Sequence, residues 1–206
     1  MVKKREEKKK IYKNKIIEAA NEIFLKNGYK NTTIEQISKK AGVGIGTTYL
    51  YFKSKSELYR VTIEDKLNIK YAQKFFDVID YNEKPSIEIS KISFNIMNVF
   101  FQLDKNILKD YVYSFITSNI DDQDLMYSTF LNFDDNIKIG YKIVLERYAQ
   151  KGKFKSSFDI ILCSDIIFNI ILNSFFKYIF LNNADIDKIS KEINEHIVYI
   201  LNPYEK

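Results

Sequence analysis

Four hydroxyl-bearing residues, Thr47, Thr48, Tyr49 and Tyr51, lie in one short uncharged stretch of the chain. Lysines stand on both sides of it, at Lys39, Lys40, Lys53 and Lys55, and no acid occurs between Glu35 and Glu57. A carboxylate there would repel phosphate and a lysine attracts it, so the chemistry on offer is the seating of a polyanion. Gly44 and Gly46 would let the backbone come close to such a partner.

Residue types for bond-breaking chemistry are scarce. Cys163 is the one cysteine and His196 the one histidine, on different predicted helices, and they form no nucleophile–base pair. Asp121, Asp122 and Asp124 lack the register of a calcium loop, and acids in a first helical turn are explained by the helix dipole. The glycines of Gly42 to Gly46 have neither the preceding strand nor the following Gly-Lys-Ser/Thr of a phosphate loop. Neither a metal nor a cofactor is expected, and the chain does not read as an enzyme.

The hydroxyl-rich stretch needs an element to present it. Thr33 is a good N-cap with Gln36 at the capping-box position, and Ile34, Ile37 and Ala41 give a short amphipathic helix. Gly42 can take the left-handed conformation that a tight turn needs, and Val43 is small enough to plug the corner. A second helix restarts at Gly44 and ends near Phe52. Ser54 caps the next, with Glu57 completing another capping box. Two short helices joined by a glycine turn make a helix-turn-helix, whose second helix enters a DNA major groove.

The residues from Thr33 to Leu58, TIEQISKKAGVGIGTTYLYFKSKSEL, resemble the DNA-binding signature of the TetR family of transcriptional repressors. The matching pieces are AGV, GT-x-Y and YFKSK-x-EL, in order and spacing, and IIEAANEIFLKNGY before them is similar to the family's first helix. The resemblance covers roughly residues 12 to 59. It implies a homodimer on a palindromic double-stranded DNA operator, recognition helices about 34–36 Å apart. It implies phosphate contacts from Thr47, Tyr49 and Lys55, and base-edge positions at Ile45, Thr48, Leu50 and Tyr51. Thr33, Gly44 and Lys53 complete the candidate DNA-binding set. Three positions depart from the family pattern: Gly44 stands where serine is common, Thr48 where a larger apolar residue is usual, and Ser38 where alanine is common. An uncharged recognition helix offers few bidentate base contacts, so thymine methyl contact and DNA shape should carry more of the specificity.

Charge is distributed to match. Residues 1–60 hold 15 Lys+Arg against 6 Asp+Glu, and residues 61–206 hold 17 against 21. A basic head and a mildly acidic remainder suggest two jobs on one chain, with residues 1–53 as the DNA-binding domain and 54–206 as a ligand-binding and dimerisation domain. The expected fold class is all-α: a three-helix helix-turn-helix domain plus a helical bundle that forms a four-helix dimer interface. Only 2 Pro and 6 Gly among 206 residues favour long helices. A lone cysteine and an N-terminus without an apolar leader fit a cytoplasmic protein.

Along the chain, residues 1–10 read as a frayed basic arm and 11–28 as the first helix, with Ile16, Ala20, Ile23 and Phe24 on its inner face. Tyr29, Ile34, Ile37, Val43, Tyr49, Phe52 and Leu58 should complete that core. The fourth helix is expected from Ser54 to about Ile79. Further helices are expected over 86–103, 105–119, 122–150 (capped by Asp121), 158–181 and 184–201 (capped near Asn182). In 158–181 the polar residues Asp165, Asn169, Asn173 and Lys177 fall every four positions on an otherwise apolar helix. A charge at the centre of a membrane span costs roughly 3 kcal/mol, so no membrane is expected and the helix should pair with 184–201 in a dimer. Abundant aromatics suggest a pocket for a small apolar or amphipathic effector, with Met97, Phe101, Tyr113, Tyr127, Phe168 and Asn169 as candidate liners. The rival readings are a helical protein-interaction module and a bundle enzyme without DNA binding.

Overall fold

The structure, a computed structural model, describes residues 2–67, 73–118 and 123–206. Within them it describes all side chains except those of residues 2–5, 65–67, 73, 115, 117–118 and 123–136. Among the described residues there are α-helices and short 3-10 turns, and no strand beyond one isolated bridge between Phe154 and Glu205. The helices are α1 (Val2–Asn27), α2 (Ile34–Ala41), α3 (Ile45–Tyr51), α4 (Lys55–Leu67) and α5 (Pro85–Phe101). They continue with α6 (Lys105–Ser118), α7 (Gln123–Gln150), α8 (Ile160–Phe180) and α9 (Ile186–Leu201). The all-α class read from the sequence is what the chain adopts.

Two compact units divide it. One comprises residues 1–67 and 106–127, the other 68–105 and 128–206. The first therefore holds α4 and α6 beside α1, α2 and α3.

In the first unit α1 packs on α2 and α4, and α2 on α3. Ile16, Ala20, Phe24, Ile37, Phe52 and Leu58 are buried to 3% exposure or less, which is most of the core expected around the inner face of α1; Ile23 and Val43 are only half-buried. Tyr49, expected in that core, is instead half exposed. It follows Thr48 by one position, and a helix turns its successive residues by about 100°; with Thr48 inward, Tyr49 points out. α6 closes this unit: the Tyr59 hydroxyl donates to the Ile107 carbonyl at 3.1 Å, and the Tyr111 hydroxyl donates to Glu64 at 3.2 Å.

In this unit two local expectations fail at helix ends. Residues 2–10 are helical and not a frayed arm. Lysine and glutamate are good helix formers, and Glu6 and Lys9 pair one turn apart at 3.6 Å. The fourth helix does not run to Ile79: α4 is described to Leu67, and Gln73–Phe76 is a 3-10 turn. Asp121, the expected cap of α7, lies outside the described residues.

In the second unit α5 packs on α8 and α9, and α8 on α9. Pro85 opens α5, where its missing amide costs nothing. The inner stripe of α9 is Ile189, Ile193, Ile197 and Leu201, all buried. Its cap is Asp185, not Asn182: the carboxylate accepts from the Asp187 and Lys188 amides at 2.9 and 3.2 Å. α8 is apolar and long enough to cross a bilayer by length and composition. It buries Cys163, Ile167, Ile171, Phe175 and Ile179 in this unit, however, as a core helix does. Its polar residues are partnered in part, Asp165 by Lys138 of α7 and Lys177 by Glu192 of α9, each at 2.7 Å.

Candidate nucleic-acid interface

The site is built by two caps and one glycine. The Thr33 hydroxyl accepts from the Gln36 amide at 3.3 Å, and the Gln36 side chain accepts from the Thr33 amide at 2.9 Å. Thr33 thus fixes where α2 starts. Gly42 ends α2 with φ +68°, a conformation that costs a side-chain-bearing residue strain. Its amide and that of Val43 donate back to the Lys39 and Ser38 carbonyls at 3.3 and 3.0 Å. Gly44 caps α3 with its backbone only, its carbonyl accepting from the Thr47 and Thr48 amides at 2.9 and 3.1 Å. After α3, Ser54 accepts from the Glu57 amide at 3.0 Å. The Glu57 carboxylate reaches one residue further than a capping box requires, to the Lys53 amide at 2.6 Å.

These constraints turn one side of α3 to solvent. Ile45 is 43% exposed, Tyr49 50% and Leu50 79%, with Gly46 between them. Thr47 and Tyr51 are half-buried. Thr48 is the exception among the predicted base-edge residues. It is fully buried, and its Oγ1 lies 2.7 Å from Ser38 Oγ. A side chain sealed between α2 and α3 does not face a base edge, so Thr48 belongs to the scaffold. The signal was present in the sequence, because Ser38 and Thr48 are both polar departures from the family pattern at facing positions.

The cations fall into two groups. Lys39 and Lys53 are exposed beside α3. Lys40 is paired with Glu22 of α1 at 2.6 Å. Lys55 donates from Nζ to the Tyr29 carbonyl at 3.0 Å and sits over the Tyr29 ring. Burial pushes its ammonium below the ordinary lysine range, opposed by the nearby Asp110 carboxylate.

The residues named for an effector belong to both units. Met97 is sealed in the second unit, and Phe101 packs on Tyr178 with ring centroids 4.9 Å apart. Phe168 is half-buried, and the exposed Asn169 donates to the Asp165 carbonyl. Tyr113 belongs to the first unit, beside Tyr29 and under Lys30. The Tyr127 side chain lies outside the described residues. Neither the groove between α8 and α9 nor the recess beside Ser156 and Ile161 is lined by any of the six. His196 is exposed, and among the described residues no group of His, Cys, Asp and Glu could hold a metal.

The profile of bacterial regulatory proteins of the tetR family matches residues 16–62, which contain α2, α3 and most of α4. The biofilm-operon negative transcriptional regulator IcaR of Staphylococcus epidermidis is 29% identical over 100 residues, 48% of this chain and 51% of that protein. The match thus spans about half of that relative's length. The fatty acid metabolism regulator protein of Bacillus subtilis is 29% identical over 161 residues, 76% of this chain and 77% of that one. A TetR-family regulator from Mesorhizobium loti has the same fold, with TM-score 0.71 at 16% identity over 96% of this chain and 98% of that one. FadR from Bacillus subtilis, solved in complex with stearoyl-CoA, gives a TM-score of 0.60 at 22% identity over 90% and 97%. These relatives are regulators and not enzymes. With the capped α2, the glycine corner and the outward face of α3 in place, residues 16–62 are matched as the DNA-binding segment of bacterial regulatory proteins of the tetR family, and the rest of the chain shares the fold of such regulators.

Proposed function

We propose that this chain is a ligand-responsive transcriptional repressor that holds a palindromic DNA operator as a homodimer in the cytoplasm. The observation that carries it is the outer face of α3. It has no acid, exposes Tyr49 and Leu50, and is rimmed by Lys39 and Lys53. Phosphate contacts from such lysines fix register, and the helix face between them meets the bases. In this reading Ile45, Leu50 and the half-buried Tyr51 face the groove, and Thr47, Lys53 and Lys55 approach phosphates; Tyr49, expected at a phosphate, joins the groove-facing set because it lies one turn from the exposed Ile45. Thr33 and Gly44 set the start of each helix. Residues 1–53 act on DNA and 54–206 carry ligand binding and dimerisation.

Dimerisation is supported by the outer surface of α8 and α9. Ile161, Leu162 and Phe180 on α8 are 63%, 56% and 54% exposed, and Tyr199 on α9 is 81% exposed. Between the two helices runs a groove of about 730 Å³, lined by Leu162, Ile166, Val198 and Tyr199 among others. Exposed apolar area of this kind marks an interaction site, and a two-fold pairing of α8 and α9 makes a four-helix interface. Light scattering should give a dimer, and Leu162→Glu with Tyr199→Glu a folded monomer.

An apolar or amphipathic effector is supported by likeness to FadR, which was crystallised with stearoyl-CoA. Acyl thioesters are therefore the first ligands to try, with Phe101, Phe168 and Asn169 the first positions to substitute. Release requires a coupling of about 1–3 kcal/mol between the ligand and DNA sites. Since α6 lies in the same compact unit as α3 and bonds to Tyr59 of α4 and to Tyr29 after α1, a shift of α6 would reach the recognition helix through those elements.

The test is a duplex titration at two salt concentrations, with and without ligand. Affinity should fall with salt by a log–log slope of about −0.9 per phosphate neutralised, and Lys53→Ala should lessen that slope by about one. Indifference to DNA in dilute buffer would refute the whole proposal. Equal operator affinity with every ligand that binds would refute the switch and leave DNA binding standing.

A further inference from the structure

We infer that the operator half-site is read mainly through thymine 5-methyl groups, by the α3 face made of Ile45, Gly46, Tyr49 and Leu50. The inference rests on the DNA-binding reading above and says what that face recognises.

Positions 45 and 49 lie one turn apart, as do 46 and 50, so the four form one continuous strip. The exposures agree, since this strip holds the outward residues of α3. Specific hydrogen bonds in the major groove come chiefly from Arg or Lys to guanine, Asn or Gln to adenine, and Glu or Asp to cytosine. The sequence of α3, IGTTYLY, contains none of these. Its two threonines do not supply the lack. Thr48 is buried with its hydroxyl engaged by Ser38, and Thr47 lies two positions from Ile45, on the far side of the helix. Tyr49 keeps one hydroxyl, too little for a bidentate contact. What Ile45 and Leu50 present is methyl groups, and the matching feature of the major groove is the C5-methyl of thymine.

Gly46 gives independent support. A Cβ built there would meet nothing within 4 Å beyond its chain neighbours and its own helix backbone, and the backbone is ordinary right-handed helix. Nothing in the fold requires glycine at this position, where alanine makes the better helix. The space that its missing side chain leaves open faces outward, between Ile45 and Leu50, where a base edge would come close. Lys39 and Lys53 supply the charge complementarity to the backbone on either side.

The experiment starts by enriching a tight-binding duplex from a randomised pool with the full-length protein. That duplex is then remade with deoxyuridine for thymidine, which removes only the methyl groups, and affinity is measured at fixed salt by fluorescence anisotropy. The expected loss is about fourfold for each contacted methyl, from the transfer free energy of one buried carbon. Ile45→Ala with Leu50→Ala should bind the parent duplex more weakly and lose most of its sensitivity to uracil. Gly46→Ala should melt at a higher temperature yet bind the operator less well, a pairing that a structural role would not give. Full affinity of the parent protein for the uracil duplex overturns methyl reading and leaves DNA binding intact. Undiminished uracil sensitivity in the double variant assigns the effect to DNA shape and overturns it too. Operator binding by Gly46→Ala at the parent level overturns the part given to Gly46. Failure to enrich any duplex, with no binding in dilute buffer, takes down both this inference and the reading beneath it.

Discussion

The hydroxyl oxygens of Ser38 and Thr48 lie 2.7 Å apart between α2 and α3, with both residues buried to 1% exposure or less. The direction of that bond follows from counting protons. A hydroxyl carries one, and Ser38 gives its own to the Ile34 carbonyl at 2.8 Å. Thr48 is therefore the donor to Ser38. The angle of the recognition helix is held by a bond between two residues that each look like minor polar substitutions.

Substitution of the pair should accordingly be asymmetric. Ser38→Ala strands the buried Thr48 donor and should cost about 1–3 kcal/mol. Thr48→Val keeps the shape, leaves Ser38 its bond to Ile34, and should cost less. Changing both to apolar groups should recover most of the loss, since no donor is then left unpaired. Urea melts of the three variants check this. Additive losses in the double variant would mean that the two hydroxyls are not coupled.

Gly140 offers a test in the second unit. A Cβ there would come within 2.5 Å of the Phe76 ring, which stands edge-on to Tyr141 with centroids 5.2 Å apart. Helix propensity favours Gly140→Ala by about 1 kcal/mol, and overpacking opposes it by about 1–3 kcal/mol. The clash should win, giving a lower melting temperature. Adding Phe76→Leu should return part of the loss; a variant more stable than the parent would show that the ring yields freely.

Much of this was legible because it is local. The capping box at Thr33, the left-handed turns at Gly28 and Gly42 and the stripe Ile189–Ile193–Ile197 depend on neighbours within a turn or two, and all appear. Periodicity alone could not give the side of α3 that carries Thr48; only the paired polar departures Ser38 and Thr48 pointed to it. Seven residues are two turns, too short for periodicity to separate an inner from an outer hydroxyl, and the deciding partner, Ser38, is on another helix. The end of α4 was missed because no proline or glycine stops it in the sequence. Which unit each proposed effector residue serves was not legible for a related reason. Aromatic composition says that a core exists, but Tyr113 and Met97 serve different units, a matter of long-range packing.

Asp110 on α6 accepts from the Tyr29 amide at 3.1 Å, just past the end of α1. The same turn uses its carbonyl to hold Lys55. Asp110→Ala removes a charged acceptor and should cost about 1–3 kcal/mol, whereas Asp110→Asn keeps an acceptor oxygen and should cost less. Thermal melts of the two variants check the order. An alanine variant as stable as the parent would show that the corner after α1 stands without α6.

Glu64 should give the first unit a pH dependence. Burial pushes its carboxyl above the ordinary range, opposed by the Tyr111 hydroxyl donating to it and by the charge of Arg60. The unfolded chain keeps the ordinary value. Between the two values the folded protein therefore holds the extra proton, and stability falls as pH rises through that window. Glu64→Gln keeps an oxygen for Tyr111 and abolishes the titration, so it should stabilise the protein at neutral pH more than at acid pH. Melting temperatures of both proteins, taken from acid to neutral pH, should diverge as pH rises. Parallel curves would mean that Glu64 ionises inside the fold at no cost, with Tyr111 and Arg60 balancing its burial.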